Sequence, residues 1–231
     1  MHELAIWAKL INLTRLQDSQ LNTMMLLASW MYDLPMGLNE AISYMYPSVT
    51  RTLCACDKGD MLSIGGAHMP TIRQAQLVLF PICGTSDHWT LLAVREVEKV
   101  NEETVWIHRY YETLPEQSQV NRKSAQKLLS FYFPGLVLDK KPFNATRQYN
   151  DYDCGFYCFH YAVMESLHLA GEPLLTRWPV IKTIRSQLDT WLLMLKRFQE
   201  KDEKIALMKQ LSQQYVTDGK AKYQAQDKGK K

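Results

Sequence analysis

The chain has 231 residues, 46% apolar and 22% charged, with a formal net charge of +3. That composition fits a soluble globular protein of one domain with a sizeable core, and the charge is too small to argue for a nucleic-acid partner. Five cysteines, an odd number without regular spacing, exclude a secreted disulfide scaffold and point to reduced thiols in an intracellular setting, cytoplasm or nucleus. The opening MHELAIWAKL has no basic-then-apolar leader pattern. No apolar run approaches the roughly 18 residues of a membrane span, so no membrane partner is expected.

In chain order, residues 16–32 follow a helical period, with Leu16, Leu21, Met24, Met25, Leu27 and Ala28 on one broad apolar face and Asp18 placed to cap the start. Methionines on such a face are usually core filler rather than a binding groove. Pro35 and Gly37 break the pattern, a second short helix is expected over 38–46, and 48–70 reads as irregular loops. The period then changes. Residues 75–82 (AQLVLFPI) read as a buried strand with Pro81 at its end or edge. Residues 88–94 (HWTLLAV) read as a second strand, 104–111 (TVWIHRYY) as a third, and the polar 96–103 as the hairpin connection. An amphipathic helix is expected over 121–132, with Ala125, Leu128, Leu129 and Tyr132 inward and Phe133-Pro134-Gly135 ending it. One more short strand is expected within 137–147, and a last helix over 178–198. From about Glu200 the chain turns Lys- and Gln-rich, which suits a frayed or disordered tail over 200–231 behind a domain of 1–199.

The stretch QYNDYDCGFYCFHY, 148–161, carries the chemistry. Asp153 is a suitable N-cap residue, and the sequence after Gly155 is apolar almost all round, as in a buried helix. A cysteine at a helix N-terminus feels the positive end of the helix dipole, which favours thiolate. Cys154 is therefore a candidate nucleophile, although most intracellular cysteines are small buried hydrophobes. A thiolate attacking a carbonyl needs a base, a group to orient that base, and donors for the oxyanion. His88 follows turn residues and opens a strand, so its side chain can face a cleft. Glu112 ends the neighbouring antiparallel strand and so comes close to the start of the His88 strand. Gln148, six residues before Cys154, offers a side-chain amide beside the Cys154 backbone N–H. Two metal-like groupings, Cys54-x-Cys56 with His68 and Cys154, Cys158 with His160, lack zinc-ligand spacing. No metal or other cofactor is expected.

The succession HWTLLAV, YYETL and Q-x5-C-G followed by aromatics resembles the ubiquitin-like-protein proteases of peptidase clan CE, which include the SUMO-processing and adenovirus proteases. The resemblance spans about 14–200 and rests on 75–165. It implies an α+β fold in which a small mixed sheet packs against helices, with the nucleophile at a helix N-terminus. It implies Cys154 as nucleophile, His88 as base, Glu112 in the place of the usual Asp, and Gln148 as oxyanion donor. Trp89 matches the tryptophan that lines the channel for the substrate's Gly-Gly tail. The N-terminal W-L-x-D-x-x-I-N pattern is echoed by 15–22, with Asp18 kept and Arg15 standing where the family has tryptophan. The implied activity is a cysteine peptidase or isopeptidase, and the implied partner is a ubiquitin-like modifier or its conjugates. Two other readings stay open: a precursor-processing protease of a virus or mobile element, and a protease-like fold kept as a binding module. A third, nucleic-acid binding through the basic tail, is weakened by the acidic residues interspersed there.

Overall fold

The computed structural model describes residues 15–36, 40–84, 88–100, 103–114, 116, 119–143, 147–150, 152–172 and 174. Helix α1 (Asp18–Met31) buries the apolar face expected of it, from Leu21 to Ala28. Its cap differs from expectation. Gln17 is the extended N-cap residue, its N–H donating to Gln20 Oε1 at 2.8 Å. Asp18 lies inside the first turn, where a carboxylate suits the helix dipole, and accepts from Arg51 at 2.7 Å.

The expected helix over 38–46 is not formed. Ile42–Tyr44 is instead a short strand, β1, parallel to Leu77–Leu79. So few residues cannot nucleate a helix alone, and the strand finds a partner already buried. The loops expected over 48–70 are three short helices: α2 (Pro47–Ala55), α3 (Lys58–Gly66) and α4 (Met69–Gln74). Proline opens α2 and sits in the first turn of α4, where its missing N–H has no helical partner to lose. Asp57 caps α3 by accepting from the N–H groups of Gly59 and Asp60 at 2.9 and 3.0 Å. Leu53, Met61 and Ile72 each bury against the sheet. Tertiary packing, not propensity, holds these helices.

Strands β2 (Leu77–Cys83), β3 (Trp89–Val100) and β4 (Glu103–Tyr111) complete a four-stranded mixed sheet in the order β1-β2-β3-β4. The polar 96–103 stretch is not a connection. The ladder continues through it to Val100↔Glu103, with a register shift between Glu96 and Glu98. Pro81 fits because β1 has ended beside it: the last bond on that edge runs from Met45 N–H to the Leu79 carbonyl. Leu77, Leu79, Leu91, Ala93 and Tyr111 belong to one core, with α1 and the last helix. Val78, Phe80, Leu92, Val94 and Tyr110 belong to the other, with the short helices and α5 (Gln119–Tyr132). Both faces are covered, which is why β2 reads as an unbroken apolar run.

Helix α5 buries Ala125, Leu128, Leu129 and Tyr132 as expected, and Gly135 at φ 97° turns the chain away. The strand expected within 137–147 does not form among the described residues. Phe143 N–H bonds the Tyr110 carbonyl at 2.8 Å, but no ladder follows. Helix α6 (Cys154–Leu169) is buried on nearly every side. It is tied to β4 by Glu165, which accepts from Arg109 at 2.9 and 3.0 Å and from the Tyr111 hydroxyl, and by the Tyr111–Tyr161 stack at 4.5 Å. The helix expected over 178–198, the tail from Glu200 and the boundary between them lie outside the described residues. Among the described residues no helix is long and apolar enough to cross a membrane.

Candidate active site

The start of β3, the end of β4 and the N-terminus of α6 meet at one end of the sheet. The register pairs Leu91 with Tyr111, so His88 and Glu112 leave their strands at that same end. His88 Nε2 lies 2.5 Å from Glu112 Oε1, and both side chains are fully buried. Glu112 is itself held: Oε1 accepts from Leu114 N–H at 2.7 Å, and Oε2 from the Tyr110 hydroxyl at 3.4 Å. Asn121 on α5 donates to the His88 carbonyl at 2.7 Å, fixing the backbone that carries the imidazole. The methylene by which Glu exceeds Asp is thus accommodated without loosening the contact.

Cys154 is the first residue of α6 and is buried next to His88. With Nε2 held by Glu112, the remaining ring nitrogen, Nδ1, has no partner in hydrogen-bond geometry. Burial pulls the His88 pKa down, but Cys154 and Glu112 together outweigh it and push the value up to about 9. The imidazole is therefore charged at neutral pH. His160, two turns along α6, is driven the other way by burial, to about 4. Cys158 faces the sheet as a core residue, its thiol donating to the Thr90 carbonyl at 3.5 Å.

Gln148 is buried, with each end of its amide engaged. Oε1 accepts from the Thr113 hydroxyl at 2.9 Å, and Nε2 donates to the Asn150 carbonyl. Its backbone N–H bonds the Thr113 carbonyl at 2.9 Å. Asn150 organises the loop leading to Cys154: its Oδ1 accepts from Tyr152 and Asp153 N–H at 3.2 and 3.0 Å. Asp153 does occupy the N-cap position, but in helical rather than extended backbone geometry (φ −85°, ψ −6°), so its side chain makes no cap bond. Its carboxylate accepts instead from Asn150 Nδ2 at 2.7 Å.

Arg15, Asp18 and Trp89 line one groove of about 530 Å³, together with Leu16, Gln17 and Arg51. The buried Trp89 indole donates to the Leu16 carbonyl at 2.8 Å, seating the entrance of α1 against the sheet. Gly155 makes that seat possible, since a Cβ there would come within 2.7 Å of the Leu16 Cβ. Among the described residues no group of three or more His, Cys, Asp or Glu could hold a metal ion.

Solved structures share this fold. The C-terminal Ulp1 protease domain, solved in complex with Smt3, the yeast ortholog of SUMO, aligns with a TM-score of 0.53 at 18% identity over 80% of each chain. The chain has the Ulp1 fold. A second Ulp1 structure, with its catalytic cysteine oxidised to a sulfinic acid, aligns at a TM-score of 0.52 and 17% identity, over 82% of this chain and 81% of that one. The catalytic domain of the Chaetomium thermophilum Ulp1-like SUMO protease aligns at 0.51 and 16%, over 77% and 70%. No protein-family profile and no curated protein sequence matches the chain. The Ulp1 fold is the α+β architecture that the sequence resemblance implies.

The structure brings Cys154, His88 and Glu112 together, sets Gln148 on the connection between α5 and α6, and groups Arg15, Asp18 and Trp89 in one groove. Thr113, Asn121 and Asn150 went unnoticed in the sequence. The only signal for Asn150 is a turn-forming residue in an N-D-Y-D run. Thr113 and Asn121 carry none, because their bonds reach across 35 and 33 residues.

Proposed function

We propose that the chain is a cysteine peptidase or isopeptidase that processes or deconjugates a ubiquitin-like protein. The observation that carries this reading is the buried 2.5 Å His88–Glu112 contact set against the first residue of a helix, within a Ulp1 fold. In the proposed mechanism the Cys154 thiolate attacks the carbonyl carbon of a peptide or isopeptide bond. Its charge is balanced by the His88 imidazolium that Glu112 orients. Gln148 Nε2 and the Cys154 backbone N–H receive the oxyanion. His88 gives its Nδ1 proton to the leaving amine as the C–N bond breaks, leaving a thioester. Water, deprotonated by His88, then attacks the thioester carbonyl, and the C–S bond breaks to release the acid and restore the Cys154 thiolate and His88 imidazolium.

The groove of Arg15, Asp18 and Trp89 lies where the tail of a modifier would enter. Arg15, standing where the family has tryptophan, and Arg51 bring two guanidinium groups to that groove beside Asp18. All five cysteines are free, which suits a reducing compartment.

The test is a panel of ubiquitin-like proteins with C-terminal electrophiles, reacted with the wild-type chain and with Cys154→Ala. A covalent adduct with one member, absent in Cys154→Ala, is expected and names the substrate. An inert wild type across the whole panel sinks the proposal. Gln148→Ala should lower turnover by roughly 10²–10³-fold.

A further inference from the structure

We propose that Thr113 is a positioning residue that fixes which way round the Gln148 amide faces. The proposal rests on the reading of Gln148 as an oxyanion donor. A primary amide has nearly the same shape after a half-turn about its last bond, so only hydrogen bonds decide whether NH₂ or C=O faces the reaction. Here both ends are specified. The buried Thr113 hydroxyl donates to Oε1 at 2.9 Å, and the Asn150 carbonyl accepts from Nε2. The Asn150 end is fixed in turn by the bonds from its Oδ1 and Nδ2 to the Tyr152–Asp153 segment.

An amide nitrogen carries two hydrogens. The Asn150 carbonyl takes one; the other reaches only Asn150 Oδ1, at a long 3.4 Å, and is the one a developing oxyanion would claim. The half-turned amide would set Oε1 against the Asn150 carbonyl and offer an acceptor, not a donor, to the oxyanion. Thr113 follows Glu112 directly, so the strand end that orients His88 also orients the donor. One short segment thereby sets both the base and the oxyanion site.

Thr113→Val keeps the shape and removes the hydroxyl, stranding Oε1 in a buried site; the amide recovers a partner only by shifting or turning. On the modifier amide substrate identified by the electrophile panel, Thr113→Val should lower kcat about tenfold with KM unchanged. Thr113→Ser, which retains the donor, should restore kcat. In a Gln148→Ala background Thr113→Val should have no further effect, because the group it positions is gone.

A purely structural role predicts otherwise: a lower melting temperature, unchanged kcat per folded molecule, and effects that add. That outcome overturns the proposal. Normal turnover of Gln148→Ala would instead overturn the oxyanion assignment, so the two failures are distinguishable. A readout independent of turnover is the Gln148 side-chain NH₂ signal in ¹⁵N-correlated spectra, assigned by its loss in Gln148→Ala. It should shift or broaden in Thr113→Val and stay put in Thr113→Ser. An unchanged signal in folded Thr113→Val overturns the proposal, and Thr113→Ala replaces valine if that variant does not fold.

Discussion

Arg109 and Glu112 lie three residues apart at the end of one strand, and each enters a buried charged pair. Arg109 donates twice to Glu165, which also accepts from Tyr111, and the guanidinium lies 5.0 Å over the Phe143 ring. That pair is closed on itself. The His88–Glu112 pair is the more deeply buried of the two but is left open, with Nδ1 outside hydrogen-bond geometry and Cys154 beside the ring. Two neighbouring ion pairs thus differ in how far their hydrogen bonds are completed. The closed pair can only hold β4 to α6, whereas the open one keeps a proton available. An unmade hydrogen bond in a buried site costs stability and is retained where chemistry can use it.

The largest effect that sharpens this contrast is on turnover. Glu112→Gln preserves the shape but removes the charge that supports the imidazolium, and should lower kcat on the order of 10⁴-fold by analogy with triad orienters. Thermal stability should change far less, read from a melting curve of the same preparation. A variant retaining most of its turnover would demote Glu112 from orienter to packing residue. Glu165→Ala should do the reverse. It leaves the Arg109 charge poorly partnered and should cost about 3–5 kcal/mol of unfolding free energy in urea, with turnover per folded molecule unchanged. A collapse of turnover in fully folded Glu165→Ala would mean that the closed pair also serves the reaction.

The two histidines flanking Cys154 divide by pH in the same way. The His88 pKa is raised to about 9 from the ordinary 6.5, so its contribution is complete below pH 6.5 and lost as pH rises through 9. That of His160 is lowered to about 4, so its contribution is complete above pH 6.5 and lost as pH falls toward 4. Urea unfolding across pH should therefore give a stability curve falling on both sides of about 6.5. Glu112→Gln should make the alkaline limb shallower, leaving the part that Cys154 sustains, and leave the acid one. If Glu112→Gln flattened neither limb, the alkaline loss would belong to another group.

The legibility of the chain divides along the line between local and remote causes. Cys154, His88 and Glu112 each stand at an element end that residue types announce: a helix start, turn residues before a strand, an aromatic strand end; Gln148 lies in a loop and is marked only by its spacing from Cys154. Helices α2 to α4 are hidden in the sequence because glycines, serines and a Cys-x-Cys obscure their few buried anchors and a capping Asp57. The ladder through 96–103 is hidden because its residues are mostly charged, so no apolar alternation marks it. Thr113 and Asn121 were invisible for a different reason. Their bonds join residues brought together only by the finished fold, and no local period encodes them.

Gly155 tests how closely the groove and the nucleophile helix are joined. Its reason for being glycine is not backbone freedom, since it lies within a regular helix and shows no positive φ. The cause is steric: an alanine Cβ would meet Leu16 at 2.7 Å, and Leu16 is the residue whose carbonyl receives the Trp89 indole. Gly155→Ala must therefore push the entrance of α1 outward, costing about 1–3 kcal/mol as overpacking usually does, against a helix-propensity gain of up to about 1 kcal/mol. The shift would open the groove at Arg15 and Asp18 while leaving His88, Glu112 and Gln148 in place. KM for a modifier substrate should rise more than kcat falls, measured by steady-state kinetics on the folded variant. Leu16→Gly in the same chain, which removes that Cβ, should relieve the clash and recover part of KM. Loss confined to kcat would show instead that Gly155 supports the Cys154 N–H rather than the groove wall.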